Sequence, residues 1–313
     1  MDTRITRADG GAEAAVDTRH IHTGRSVDNA ASPTGADTPI TCTLCPHACR
    51  LRVGATGFCR ARRNEGGTIR AINYGRLTAL ALDPIEKKPL YHFYPNRQIL
   101  SVGSFGCNLA CPFCQNAGIA MADERIETEN VTPAQLAALA EELRHQPRGN
   151  IGVAFTYNEP LVGYEYIMDT APLLHAAGLK VVLVTNGMIC TEPLTRLLPH
   201  VDAMNIDLKA WHTDTYRQLG GDLAAVKSTI ATAVTHGVHV EVTTLVVPGI
   251  SDRAADMDEE AYWLSTLSPD LPLHISRYFP RHRMSAPPTP IADIDRLTAI
   301  ARRHLRHVHR GNC

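Results

Sequence analysis

The sequence predicts an α/β protein built as a partial (β/α)6, TIM-like barrel. From residue 99 onward, short apolar runs alternate with helical stretches, the pattern of a parallel sheet with right-handed crossovers. Polar motifs recur at the ends of successive strands, where such barrels place their chemistry. Ahead of the barrel lies a small N-terminal Cys-rich metal-binding segment, and ahead of that a tail of different composition.

Residues 1–38 repeat Ala, Gly, Thr and Asp, with scattered arginines and no apolar periodicity. A segment that buries so little cannot offset its ordering entropy, so it reads as a disordered tail. His20 and His22 belong to that solvated stretch.

Residues 39–95 form the Cys-rich segment. Cys42, Cys45, Cys49 and Cys59 fall within eighteen residues, with Gly54 and Gly57 marking a turn. Four thiolates so spaced can close a tetrahedral zinc site that staples a segment too small for its own core. They can equally hold an auxiliary iron–sulfur cluster, structural zinc being the plainer reading. His47 then reads as a turn residue, because four thiolates already complete a site. Ile69, Ala71 and Tyr74 suggest one strand and residues 77–82 another. Residues 83–95 are punctuated by proline and read as a loop near the site mouth. In it Lys87 and Lys88 read as solvated lysines that an anionic substrate could meet.

Residues 96–313 form the core domain. A strand at 99–102 delivers a cysteine loop. Thr132-Pro133-Ala134-Gln135 supplies an N-cap, a first-turn proline and a capping box, opening a helix that carries Leu136, Leu139, Ala140 and Leu143 on one face. Strands follow at 151–155, 179–184, 201–208, 238–247 and 274–276, with helices at 164–177, 223–234, 252–267 and 291–305. Residues 307–309 begin a closing strand.

Composition narrows the function classes. The chain has 313 residues, 44% hydrophobic and 20% charged, with a net charge of −1. Near-neutrality gives no bulk electrostatic footprint for nucleic acid or membrane. No apolar run of eighteen residues marks a membrane span, and the N-terminus has no apolar signal core. Seven of nine cysteines sit in two clusters, which fits metal binding in a reducing compartment and predicts a cytoplasmic protein. Cys190 and Cys313 are lone thiols.

The second cluster carries the chemistry. In Gly106-Cys107-Asn108-Leu109-Ala110-Cys111-Pro112-Phe113-Cys114-Gln115-Asn116, thiolates at Cys107, Cys111 and Cys114 can each hold one iron of a cubic 4Fe–4S cluster. The fourth iron is left open to a small molecule. A zinc site would need a fourth ligand, and no second cysteine pair lies nearby downstream.

This CxxxCxxC run, followed by Gln-Asn, resembles the radical S-adenosylmethionine superfamily. The resemblance implies the radical SAM partial barrel. It also implies an open iron that chelates the amino and carboxylate groups of S-adenosylmethionine, and reductive cleavage to a 5′-deoxyadenosyl radical that abstracts hydrogen. Thr156-Tyr157-Asn158-Glu159-Pro160 stands where members carry Gly-Gly-Glu-Pro, so Glu159 is implied to meet the amino group, with Tyr157 and Asn158 replacing the glycines. Thr185-Asn186-Gly187 resembles the family's cleft-lining Thr-Asn-Gly. Asp207-Leu208-Lys209 resembles its Asp-Leu-Lys, with Lys209 implied to meet the cofactor carboxylate and Asp207 to orient its neighbours. Val247-Pro248-Gly249 could shape the adenosine pocket.

From about Cys42 to Asn312 the chain is similar to the AmmeMemoRadiSam-system radical SAM enzymes. The residues are Cys42-Thr43-Leu44-Cys45-Pro46-His47-Ala48-Cys49, the 83–93 segment, the Glu159 motif, and Pro272-Leu273-His274-Ile275-Ser276-Arg277-Tyr278-Phe279-Pro280. That likeness implies association with Memo-like and AMMECR-type proteins, and electrons from a reductant such as ferredoxin or flavodoxin. Glycyl-radical-enzyme activases, such as the pyruvate formate-lyase activating enzyme, are close relatives and an alternative reading. Against an activase, Val184 stands where their cation-site carboxylate would be. A non-catalytic iron–sulfur or zinc protein on the same fold is the other alternative. His274, Arg277 and Arg281 are expected at the open barrel end, to bind an anionic substrate or relay a proton, or simply as an Arg-satisfied loop.

Overall fold

The computed structural model describes residues 38–146 and 148–313, so the expected tail lies outside the described residues except for Thr38. An eight-stranded sheet forms the body. In chain order its strands are β1 (Ala79–Pro84), β2 (Gln98–Gly103), β3 (Asn150–Phe155), β4 (Lys180–Thr185), β5 (Ala203–Asp207), β6 (His239–Val246), β7 (Leu273–Arg277) and β8 (Val308–Gly311). Spatial order follows chain order from one edge to the other. Strands β2 to β8 run parallel, while β1 pairs antiparallel with β2.

Helices α1 (Pro133–Glu142), α2 (Tyr164–Ala176), α3 (Thr191–Leu197), α4 (Leu223–Thr235), α5 (Ala254–Leu267) and α6 (Ile291–Ala301) fill the crossovers. The expected capping box forms: the Thr132 side chain accepts from the Gln135 N–H, and the Gln135 side chain accepts from the Thr132 N–H. Short α3 was not expected. The outer faces of the strands, including Val153, Leu183, Met204 and Val242, pack on Leu136, Ile167, Leu194, Ile230, Leu264 and Leu297 of the helices. Each such fully buried aliphatic side chain contributes about 1.5–3 kcal/mol.

The segment after β1 matches the expected loop at the site only in part: Lys87, Lys88 and Pro89 border the cavity of the cysteine loop, but its apolar residues close the far end of the barrel. Pro84 pairs with Gln98 at the N-terminal end of β2, so residues 85–97 begin at the opposite end of the barrel. There Ile85, Leu90 and Phe93 form a second core with Ile99, Ile151, Ala154, Val182 and Ala203. The proline-rich run therefore plugs the barrel floor. Its apolar residues supply the side chains that short interior strand ends lack. Strand β1 lies ahead of the domain boundary expected at residue 95, yet it belongs to the barrel sheet.

Glu241 pins this plug. It is fully buried on β6 and accepts from the N–H groups of Tyr91 (3.0 Å) and His92 (2.8 Å). Its carboxylate also meets Nε2 of His239 (2.9 Å) and Nε2 of His274 (2.6 Å). His274 is thus on the barrel floor and does not face the open end as expected, because it is the second residue of β7. His92 Nε2 lies 2.8 Å from His309 Nε2, joining the plug to edge strand β8. Burial and the neighbouring histidines His274 and His92 lower the His309 pKa from 6.5 to about 4. Burial alone would raise the Glu241 carboxyl, but the donors from His239, His274 and the plug hold it well below the usual range.

Both groups bind protons less readily when folded. The stability these two groups contribute should be complete above about pH 6.5 and fall on acidification, first as His309 resists protonation between 6.5 and about 4, then as Glu241 is forced to protonate. Glu241→Gln should cost about 3 kcal/mol, since it leaves buried donors facing an amide. Chemical denaturation across pH checks both; an unchanged midpoint in the variant would contradict the pinning role.

Candidate active site

The loop after β2 carries the three cysteines, and the ends of the next strands hold it in place. Asn158, just beyond β3, is buried. Its Oδ1 accepts from the Ser104 N–H at 2.9 Å, and its Nδ2 donates to the carbonyls of Phe105 (3.2 Å) and Gly106 (3.1 Å). The Glu159 N–H adds a bond to the Gly106 carbonyl at 3.3 Å. Gly106 has φ +90°, and a Cβ there would stand 2.6 Å from the Cys59 carbonyl oxygen and 2.7 Å from the Ala61 Cβ. Only glycine fits this turn.

Cys107, Cys111 and Cys114 border one cavity of about 580 Å³, within the range of small-molecule sites. Burial pushes all three thiols up, with Glu159 adding to it at Cys107 and the Lys209 ammonium opposing it at Cys111 and Cys114, and a metal cation beside them would favour the thiolate forms further. Among the described residues no group of three or more His, Cys, Asp or Glu side chains closes around a point as ligands of a single ion do. A cubic cluster takes one sulfur per iron and needs its cysteines only around a shared space. The donor set fits such a cluster.

Glu159, Thr185 and Asn186 are brought into direct contact. Glu159 Oε1 accepts from Thr185 Oγ1 (2.6 Å) and the Leu161 N–H (3.0 Å), and Oε2 accepts from the Asn186 N–H (2.8 Å). Burial outweighs these bonds and pushes the Glu159 carboxyl up to about 7. Asn186 Nδ2 donates to Asn108 Oδ1 at 2.8 Å and lies 3.7 Å from Cys107 Sγ, so this motif also braces the cysteine loop. Asp207 and Lys209 form an ion pair at 2.9 Å on the same cavity. Burial would lower the Lys209 ammonium, but Asp207 and the Cys111 sulfur raise it, so it stays charged. Glu159, Thr185, Asn186, Asp207 and Lys209 all border this cavity, whereas Gly187 and the Val247-Pro248-Gly249 turn expected at the adenosine pocket do not.

Arg277 and Arg281 border the cavity as well, whereas His274 does not. Lys88, expected as a solvated lysine, is buried on the cavity wall, 2.9 Å from Asp83 and 4.7 Å over the Tyr157 ring. Tyr157 has φ +69°, a conformation glycine adopts freely and a side chain enters at about 1–2 kcal/mol. Its ring covers Gly103, where a Cβ would meet it at 2.9 Å, and its hydroxyl donates to Asp83 Oδ2 at 2.9 Å. Tyr157 thus holds a left-handed backbone of the kind glycine favours, and its ring adds a wall to the cavity. The one sequence signal was the tyrosine in place of a family glycine; the burial of Lys88 had none.

These features belong to a known family. Residues 101–261 match the Radical SAM superfamily, and the chain belongs to it. An uncharacterized protein of Methanocaldococcus jannaschii is 38% identical over 281 residues, covering 88% of this chain and 82% of that one. Among solved structures, a radical SAM methyltransferase from Sphaerobacter thermophilus shares the fold with a TM-score of 0.55 and 20% identity, over 70% of this chain and 67% of that one. SuiB from Streptococcus suis, in a structure bound to S-adenosylmethionine, does so with a TM-score of 0.51 and 14% identity, over 66% of this chain and 48% of its own.

Gly106→Ala should destabilise the fold by at least about 2 kcal/mol, from left-handed backbone strain plus the clash. Guanidinium denaturation of metal-free protein reads this, and a shift under 0.5 kcal/mol would mean the loop accommodates a side chain.

Proposed function

We propose that this chain is a radical S-adenosylmethionine enzyme whose Cys107, Cys111 and Cys114 hold a 4Fe–4S cluster. The observation that carries the reading is the convergence of these three thiols, the Glu159 carboxylate and the Asp207–Lys209 pair on a single cavity. When bound, the cluster and cofactor supply reductive cleavage of the sulfonium and a 5′-deoxyadenosyl radical that abstracts hydrogen from substrate.

The chain's own residues bind and orient. Glu159 receives the cofactor ammonium on the lone pairs left by its three protein donors. Lys209, its charge secured by Asp207, receives the cofactor carboxylate. Thr185 and Asn186 fix Glu159 from the neighbouring strand end. Val184, an apolar cavity residue, leaves no carboxylate where the activases have one, which favours an AmmeMemoRadiSam-type enzyme. On that resemblance we infer a ferredoxin- or flavodoxin-class reductant, association with Memo-like and AMMECR-type proteins, and a cytoplasmic setting. Among the described residues no helix is long and apolar enough to cross a membrane.

Anaerobically reconstituted protein, reduced with dithionite, should release 5′-deoxyadenosine; the Cys107/Cys111/Cys114→Ala variant should lose both charge-transfer absorbance and release. A triple variant that retains both sinks the assignment. Glu159→Gln and Lys209→Met should each weaken S-adenosylmethionine binding by about 1–3 kcal/mol while the cluster assembles normally. Because the Glu159 carboxyl titrates near 7, wild-type affinity should fall as pH drops through that value and the carboxylate is lost, and Glu159→Gln should flatten the profile. Equilibrium titrations test both statements, and unchanged affinities would remove these residues from the cofactor site.

A further inference from the structure

We propose that Cys42, Cys45, Cys49 and Cys59 hold a second, closed metal centre, charge-balanced by Arg62, that clamps the start of the Cys107 loop. All four cysteines border one small cavity together with Leu44, Leu51, Val162 and the Arg62 guanidinium. His47 and Gly57 border it too, and Arg62 is its one permanently charged wall. Four soft sulfurs with no oxygen donor select a thiophilic centre. They do not close around one point as the ligands of a single ion do, which favours an iron–sulfur cluster with one thiol per iron and leaves mononuclear zinc as the other outcome of the test.

The backbone around the thiols is bent as such a site needs. Cys42 N–H bonds to the Cys49 carbonyl at 2.9 Å, closing the first turn, and Ala48 beside Cys49 has φ +43°. Arg60, following Cys59, has φ +63°. Neither is a glycine, so each conformation is held at a cost. The turns point N–H groups at sulfur: Ala61 and Arg62 toward Cys59, and His47 toward Cys45.

Arg62 supplies the independent sign of a ligand. It is 7% exposed, it grips Glu165 through two bonds of 2.7 Å, and its guanidinium lies beside Cys42. Its buried Nε has no hydrogen-bond partner among the described residues. An unpartnered buried guanidinium N–H is costly. A thiolate-rich centre carrying net negative charge supplies what it lacks.

The two cysteine sites share a wall. The Cys107 N–H donates to the Cys59 carbonyl at 3.2 Å, and Arg60 Nη2 donates to the Cys107 carbonyl at 3.3 Å. His47 Nε2 meets the Asn108 carbonyl at 2.9 Å while its ring stacks on Phe58. The Cys190 N–H donates to the Leu44 carbonyl at 2.9 Å, tying the segment to the start of α3. His47 is therefore a strut between the two cysteine segments, beyond the turn residue expected. A metal that freezes Cys45 and Cys59 fixes Cys107 and Asn108 through these bonds.

The test uses the full chain with Cys107, Cys111 and Cys114 all replaced by Ala, so it stands whether or not the first site holds a cluster. Metal and acid-labile sulfide are measured after anaerobic purification. One zinc per chain without sulfide, or about four irons with equal sulfide, supports the centre and tells the two forms apart. Neither metal above a tenth of an equivalent overturns it. Arg62→Leu should speed metal loss to a chelator about tenfold, and Arg62→Lys should recover part of that, because a charge returns without the fork. Equal rates in all three proteins would remove Arg62 from the centre. For the clamp, hydrogen exchange on the triple variant should show the amides at 107 and 108 losing protection when the chelator strips the metal. Unchanged protection would overturn that part.

Discussion

The site depends on one buried amide. Asn158 reaches back from the end of β3 to the segment between β2 and the cysteines, accepting from Ser104 and donating to Phe105 and Gly106. These backbone groups lie in a turn that no ladder can satisfy, because the chain has left the sheet. Pairing them with Asn158 fixes the departure of the cysteine loop from β2. It also sets the register of Glu159, the next residue, against Thr185 and Asn186. One side chain therefore aligns both the thiols and the carboxylate that face the shared cavity.

Around that point the barrel divides its labour between two ends. The floor is closed by the apolar residues of the 85–97 segment and pinned by Glu241, with histidines gathered around its carboxylate. The upper interior stays polar and open, bordered by Asn205, Thr243 and Ser276 beneath the cofactor residues. A rigid floor lets the upper end keep unfilled volume, which a barrel core filled by side chains would not allow. The strain at Tyr157 belongs to the same end, where its ring and Lys88 narrow the cavity.

Much of this was legible in the sequence, for physical reasons. Strand and helix periods survive in short windows, so the crossover order, the Thr132 capping box and the closing strand at Val308 could all be read directly. The cysteine spacing and the strand-end motifs are local as well. What escaped depends on distant partners. Glu241 reads as an interruption of an apolar strand until Tyr91, His92 and His274 are placed beside it. Lys88 reads as a surface lysine until Asp83 and Tyr157 enclose it. The 83–95 run announced turns through its prolines, but nothing local says which end of a barrel a turn will enter.

The central claim is that the cavity brings an open iron and an amino-acid chelate together. Electron–nuclear double resonance on reduced protein with 15N-amino and 17O-carboxylate S-adenosylmethionine tests it most directly. The account predicts hyperfine coupling of both labels to the cluster, diminished for nitrogen in Glu159→Gln and for oxygen in Lys209→Met. A reduced cluster that shows coupling to neither label in the wild-type protein would contradict it.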